Sequence, residues 1–262
     1  MVEIALCLAI IGFALVAIVG VLPTGLNVQR DNRQETIINQ EAIVWMDAIR
    51  NGAQGYDDLT NYVTEIIINW TRYPVGQPPV SGQDTYTRTN ATVTSVGGVA
   101  GGFSLLNGGI IVGLLSTPKY VPPLGPLSGG TFRSNYVTAY VRSMSGAAVE
   151  KFPQADPEIL ANAFNYRMVT EIVPYAPVDP YAMDVAIVGT NAAVARQRTV
   201  AALQNNSYDI RLFFRWPVLP SGEAGNSRQT FRLFTGGTLT NINFVNWPPL
   251  YFIQPSSYVH AP

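Results

Sequence analysis

Few side chains in this sequence are of the types that carry out catalysis or bind metals. His260 is the only histidine among 262 residues, and it lies beside the C-terminus, where a side chain is rarely rigid enough to act as a general base. We therefore expect no Ser–His–Asp triad and no enzymatic activity. No Cys or His spacing matches a metal site, so we expect no metal and no other cofactor.

Carboxylates offer the remaining ligands for a cation such as calcium. Asp57 and Asp58 are adjacent in the sequence. Others are scattered further along the chain, at Asp156, Glu158, Asp179 and Asp184. These positions lack the fixed alternation of an EF-hand loop, so solvated loop carboxylates are the better interpretation.

Asparagine side chains present a different chemistry, because Asn-X-Ser/Thr sequons can accept glycans. Sequons occur at Asn69, Asn90 and Asn205. They matter only in a cell and a compartment that glycosylate them. In a chain this rich in Asn and Thr, chance accounts for most such matches.

The overall composition excludes several classes of function. Charged residues make up 13% of the chain and the net charge is −1, which argues against a nucleic-acid partner or a polybasic membrane patch. Aromatic residues such as Trp216, Trp247 and Tyr251 could line a sugar-binding face, but core and subunit contacts explain them better. A weakly charged, polar surface suits a protein that packs against copies of itself.

The N-terminal stretch is the element around which the chain is organised. Residues Ile4 to Leu22 include no charged or strongly polar side chain. As a helix this run is about 28 Å long, close to the roughly 30 Å hydrocarbon core of a bilayer. Glu3 is an acid at the edge of the run, where a carboxylate is costly unless it reaches the interface or finds a cation.

The segment after Pro23 changes character. Proline removes a helical hydrogen bond, so a kink or a local loss of helicity is predicted between Gly20 and Gly25. Beyond it Ile38, Ala42, Trp45 and Ile49 recur at helical spacing, which predicts an amphipathic helix that ends near Asn51-Gly52. The sequence thus predicts a helical domain at residues 1–55 and a β-rich head at residues 56–262 with a Pro- and aromatic-rich C-terminal arm.

Short β-like patterns dominate the head. Strands are predicted at Tyr62–Trp70 (which could begin as a helix), Thr85–Val96, Ile110–Leu115, Phe132–Met144, Tyr166–Tyr175, Ser207–Trp216 and Gln229–Phe234. The residues after Asn246 favour an extended arm over a regular element. The predicted fold class is α+β, with a long N-terminal helix packed on a mostly antiparallel sheet.

The N-terminal sequence VEIALCLAIIGFALVAIVGVLPTG resembles the type IV pilins and pseudopilins, especially prepilin-like proteins of Verrucomicrobia and Planctomycetes. The likeness covers about the first 50 residues and rests on Glu3, the apolar run, Gly12, Pro23 and the amphipathic continuation. It implies a basic leader that a prepilin peptidase removes, followed by methylation of the new N-terminus. The family glutamate is normally the fifth mature residue, so Glu3 lies two residues early.

The resemblance also implies roles for individual residues. Glu3 would pair with the N-terminal ammonium of a neighbouring subunit in the filament core. Gly12 and the stretch from Gly20 through Pro23 to Gly25 would match the part of the pilin helix that loses helicity on assembly. The expected partners are further copies of this chain, the inner membrane before assembly, and the pilus assembly machinery.

The function that this resemblance implies is a structural subunit of an extracellular type IV pilus-like filament. Two alternatives remain open. One is a minor pseudopilin of a type II secretion system, and the other is a membrane-anchored extracellular binding domain that never polymerises. The sequence does not distinguish adhesion from motility, uptake or secretion.

Overall fold

The computed structural model describes residues 2–52, 56–74, 76–87, 91–94, 105, 107–121, 132–145, 163–175, 199–200, 202–219, 221–243 and 248–259. Its long helix α1 spans Val2–Asn51, and a short helix α2 spans Gly108–Leu115. A 3-10 helix occupies Asp57–Asn61. The strands are β1 Val63–Tyr73, β2 Val80–Thr87, β3 Ala91–Thr94, β4 Tyr120–Val121, β5 Phe132–Arg142, β6 Asn165–Pro174, β7 Ser207–Val218, β8 Ala224–Gly236, β9 Thr238–Ile242 and β10 Leu250–Gln254.

Eight of these strands form one sheet, in the order β3-β2-β1-β5-β6-β7-β8, with β4 paired to β5. Every neighbouring pair of strands in it is antiparallel. Strands β9 and β10 form a separate antiparallel pair. The predicted α+β class, with a long N-terminal helix and an antiparallel sheet, is confirmed.

The chain divides into two compact units, Met1–Glu41 and Ala42–Pro262. Helix α1 runs through both, so the first unit is helical and the second, the head, contains the end of α1 together with the sheet. The domain boundary after residue 55 stays a prediction, since residues 53–55 lie outside the described ranges.

The first unit is helical throughout its described residues. Pro23 lies inside α1, and Gly20 and Gly25 are helical as well. The sequence predicts a kink or a local loss of helicity between Gly20 and Gly25. The structure shows no loss of helicity there. A single proline removes one hydrogen bond, and the helix, which continues on both sides of it, tolerates that loss.

Alternation along the strands gives the sheet of the head two different faces. In β7, Ile210, Leu212 and Phe214 are fully buried. Arg215, which follows Phe214, is exposed, and Trp216 after it is buried again. We call the side that carries these buried residues the core face and the opposite side the outer face. Period-two alternation is expected for a sheet with one packed and one solvated side.

The end of α1 packs on the core face. Ala42, Trp45, Ala48 and Ile49 are buried, at helical spacing. The indole Nε1 of Trp45 donates a 2.7 Å hydrogen bond to the hydroxyl of Tyr166 on β6. All four residues predicted for the amphipathic stripe are buried: Ala42, Trp45 and Ile49 in the head, and Ile38 in the first unit.

Helix α2 corrects one prediction, because a strand is predicted at Ile110–Leu115. The side chain of Asn107 accepts a hydrogen bond from the backbone N–H of Gly109, which caps the start of a helix. Nearly all of α2 is buried, and a Cβ on Gly113 would lie 2.9 Å from Cβ of Leu250 on β10. A short run that is apolar on all sides has no periodicity to separate strand from helix, so the Asn cap is the better signal.

Two further predictions differ from the structure. The stretch predicted as one strand, Thr85–Val96, contains the end of β2 and the strand β3, which pair antiparallel with Asp84 opposite Val93. Part of the tail predicted as an irregular arm is β10, where Leu250 and Ile253 are buried. The first difference arises because β2 and β3 alternate in the same way on both sides of a chain reversal. The second arises because β10 becomes a regular strand only through its pairing with β9.

Replacement of Tyr166 by phenylalanine tests the docking of α1 on the sheet. The change leaves the buried indole N–H of Trp45 without its acceptor, so we expect the free energy of unfolding of the head to fall by about 1–3 kcal/mol. Chemical denaturation followed by circular dichroism measures it. Tyr140→Phe is the matched control, because the Tyr140 hydroxyl makes no hydrogen bond with the described residues. An equal loss in both variants would contradict this account.

Candidate functional site

The N-terminal part of α1 exposes apolar side chains around its whole circumference. From Val2 to Leu22 the large apolar side chains are between 55% and 82% exposed. Complete burial of one Val, Leu, Ile or Phe side chain stabilises by about 1.5–3 kcal/mol relative to its exposure. A surface of this extent requires an apolar environment that the chain's own described residues do not supply.

Helix α1 is long and apolar enough to cross a membrane, as judged by its length and composition. The apolar window lies near the N-terminus, and none of it is buried within the chain. A membrane-anchored or pilin-like subunit is compatible with this combination of an apolar helix and a sheet head.

Glu3 lies in the first turn of α1 and is exposed. An acid in this position interacts favourably with the positive end of the helix dipole. Its carboxylate makes no hydrogen bond or ion pair with any of the residues that the structure describes. The carboxylate is therefore available to a cation from outside the described residues.

Three glycines in the same helix pack against none of the residues that the structure describes. A Cβ on Gly12, Gly20 or Gly25 would meet no atom within 4 Å. Each glycine nevertheless costs roughly 1 kcal/mol of helix stability relative to alanine. Such glycines suit a helix that either approaches a neighbour closely or changes conformation.

The structure places all the predicted assembly residues on one element but does not cluster them. Glu3, Gly12, Gly20, Pro23 and Gly25 lie along α1. At 1.5 Å per residue, Glu3 and Gly25 are about 33 Å apart. They define an elongated surface along a helix instead of a pocket.

The other residues considered from sequence are dispersed. Asn69 is exposed within the paired strand β1, and Asn205 is exposed in a helical segment at residues 202–206. Asn90, His260 and the acidic residues Asp156, Glu158, Asp179 and Asp184 lie outside the described residues. Among the residues that are described, no group of three His, Cys, Asp or Glu side chains could hold a metal ion.

The sequence interpretation missed a buried ion-pair cluster on the outer face. Asp209 of β7 is 2% exposed and accepts hydrogen bonds from two arginines. Arg232 of β8 donates through Nε at 2.8 Å and through a terminal nitrogen at 2.8 Å, and Nε of Arg211 donates at 2.8 Å. The signal in the sequence is the four-residue spacing of Arg211 and Arg215 and of Arg228 and Arg232, which puts each pair on one side of a strand.

The environment of Asp209 determines its ionisation. Burial raises the pKa of this carboxyl, but hydrogen bonds from Arg232 and Arg211 outweigh burial, so the net pKa is lowered. The ionised form is therefore favoured in the folded state. The resulting stabilisation is present above the pKa of the unfolded chain and is lost as the pH falls through the lowered pKa of the folded one.

Comparisons with protein-family models, with curated proteins and with solved structures returned no match to this chain.

An Asp209→Asn variant tests the cluster. We expect its free energy of unfolding at neutral pH to be lower than that of the native protein by about 1–3 kcal/mol, because two arginines lose a charged acceptor. The gap should close as the pH is lowered through the pKa of Asp209, because only the native protein has the Asp209 charge to lose. Denaturation at several pH values measures both quantities.

Glu223→Gln is the control for that experiment, because Glu223 is an exposed acid near the start of β8. Its removal should change stability by less than about 0.5 kcal/mol. A difference between Asp209→Asn and the native protein that stays constant down to acidic pH would refute the assignment of the charge effect to Asp209.

Proposed function

We propose that this protein is a structural subunit of a type IV pilus-like filament that polymerises through the N-terminal half of α1. The observation that carries the proposal is the apolar surface from Val2 to Leu22, which is exposed on every side. Such a surface can be covered by lipid before assembly and by neighbouring helices after it. The resemblance of the N-terminal sequence to pilins supports the same conclusion.

The exchange of lipid for protein explains why the helix is apolar all round. In a bilayer, the helix satisfies its own backbone groups and presents only apolar atoms to lipid. In a filament the same side chains pack against α1 of other copies. The subunit is thus anchored in the inner membrane first and becomes part of an extracellular filament afterwards.

Glu3 sets the register of this packing. In an apolar filament core, a carboxylate is costly unless it meets a cation, and the N-terminal ammonium of an adjacent copy provides one. A buried charge pair contributes little net stability, but a subunit that leaves it unpaired loses several kcal/mol. The pair therefore selects one axial position for each incoming helix.

Growth into a filament follows from the geometry of the contact. Glu3 of one copy meets the N-terminus of another, so the two partners use different surfaces. A contact of this heterologous kind that does not close into a ring generates a helical array. The glycines Gly12, Gly20 and Gly25 adapt the helix to its neighbours, by close approach or by local loss of helicity on assembly.

Electron microscopy of the purified full-length protein and of shed cell appendages tests the proposal. We expect filaments in which this subunit repeats. If the protein remains a monodisperse monomer after transfer from detergent into lipid, and cells carry no filaments, the proposal is refuted and a membrane-anchored binding domain is favoured. Short tip structures on a secretion apparatus would instead favour the minor pseudopilin.

A Glu3→Ala variant should abolish or scramble assembly while the head stays folded. The physical reason is that the apolar helix loses Glu3, the charge that fixes its axial position against a neighbouring copy. Filament yield by sedimentation and microscopy measures assembly, and circular dichroism of the head measures folding. Mass spectrometry of the mature N-terminus establishes which residue supplies the ammonium.

Glu35→Ala is the matched control, because Glu35 is an exposed acid on the same helix beyond the apolar run. Its removal should leave the filament yield nearly unchanged. Normal yield from Glu3→Ala, or equal losses from both variants, would rule out the role assigned to Glu3.

A further inference from the structure

Three arginines lie side by side across the outer face of the head. Arg167 of β6 is directly opposite Arg215 of β7, which is directly opposite Arg228 of β8. We call these three residues the arginine row. Neighbouring strands are about 4.8 Å apart, so the row spans roughly 10 Å.

The row has no compensating acid in the part of the chain that the structure describes. None of the three residues takes part in a salt bridge there, and Nε of Arg167 is buried without a hydrogen-bond partner. Towards the centre of the sheet the row continues to Tyr140 of β5 and then to Glu65 of β1. Glu65 is two strands from Arg167, about 10 Å away, and does not neutralise it.

The repulsion within the arginine row contrasts with the ion pairs that lie near it on the same face. Like charges directly opposite each other in a sheet are destabilising. Four residues away along β7 and β8, Arg211 and Arg232 are held by Asp209, and Glu171 of β6 pairs with Lys119 at 2.7 Å. The row thus lacks the acid that Asp209 and Glu171 supply to these neighbouring cations, and an anion from outside the described residues can take that place.

The chemistry of the row restricts that anion. A guanidinium has a planar fork that binds a carboxylate or a sulfate with two parallel hydrogen bonds, and three forks at strand spacing suit a ligand with repeated negative charges. Arg215 and Arg228 are exposed, so such a ligand reaches them from solvent.

A hollow on the same face adds a second requirement; its lining includes Lys119, whose ammonium pairs with Glu171. The hollow has a volume of about 660 Å³ and is also lined by amides, hydroxyls and tyrosine rings, among them Asn69, Gln83, Ser134 and Tyr136. Tyr136 precedes Tyr140 by four residues on β5, which places the hollow about 13 Å from the row. Amides and hydroxyls beside exposed aromatic rings suit the hydroxyl groups and the C–H faces of sugar rings.

From the arginine row and the adjoining hollow, we propose that the outer face of the head binds an acidic polysaccharide. Its carboxylate or sulfate groups occupy the row, and its sugar rings extend towards Tyr136. Nucleic acid fits less well, because its binding depends on broad neutralisation of phosphates, whereas this chain has a net charge of −1 and the lysine that lines the hollow, Lys119, is already paired with Glu171.

Binding assays on the detergent-solubilised full chain test the proposal independently of filament formation. The probes are polygalacturonate for carboxylates, dextran sulfate for sulfates, neutral dextran, polyphosphate and an oligothymidylate. We expect binding of polygalacturonate or dextran sulfate that weakens with salt, and none of neutral dextran. Failure to bind either acidic polysaccharide, or tighter binding of the oligothymidylate than of both, would overturn the proposal.

The double variant Arg215→Gln/Arg228→Gln should weaken acidic-polysaccharide binding by about tenfold or more, because each exposed guanidinium contributes charge-assisted hydrogen bonds. The control is Arg30→Gln/Arg33→Gln, which removes the same charge from exposed positions on α1. Its effect should stay within about twofold. Equal losses from the two variants would show non-specific charge attraction and overturn the site.

A Tyr136→Ala variant separates the sugar requirement from the charge requirement. Tyr136 is 47% exposed, so its truncation leaves the core intact. We expect binding of the acidic polysaccharide to fall about threefold with the loss of ring contact, while binding of polyphosphate is unchanged. No effect on the polysaccharide, or the same loss for polyphosphate, would refute the involvement of the hollow.

Discussion

The physical constraint on which this molecule depends is the apolar surface at the start of α1. Water cannot accommodate a helix whose large apolar side chains are exposed all round, and no described part of the chain covers it. A lipid bilayer or the apolar surface of another protein segment can cover it. The head does not share this constraint, because its sheet buries one face under the end of α1 and the helix α2. The chain therefore combines a segment that needs a partner with a domain that has its own core.

The sequence predicts the elements whose patterns are long or regular. The apolar run and the stripe at Ile38, Ala42, Trp45 and Ile49 identify α1. Alternation identifies β5, β6 and β7. Prediction fails where the pattern is short or symmetric. Helix α2 is apolar on all sides, so only the cap at Asn107 distinguishes it, and β2 and β3 carry one alternation through a chain reversal.

The candidate sites also differ in how well the sequence predicts them. Glu3, Gly12 and Pro23 lie on one continuous helix, so their spacing along the chain is also their spacing in space. The arginine row depends on the register of three strands that are far apart in sequence. Four-residue spacing places Arg211 with Arg215 on one side of β7, but only pairing brings Arg167, Arg215 and Arg228 together. Strand register is a tertiary property, and local patterns do not encode it.

The hydrogen bond between Trp45 and Tyr166 has a mechanical consequence. It connects the end of α1 to β6, which is paired on both sides, by β5 and by β7. Tension that enters the head through this segment is therefore applied to an interior strand. An edge strand can be peeled away one hydrogen bond at a time, whereas an interior strand must shear two ladders together. The attachment point thus shares any such load between both halves of the sheet.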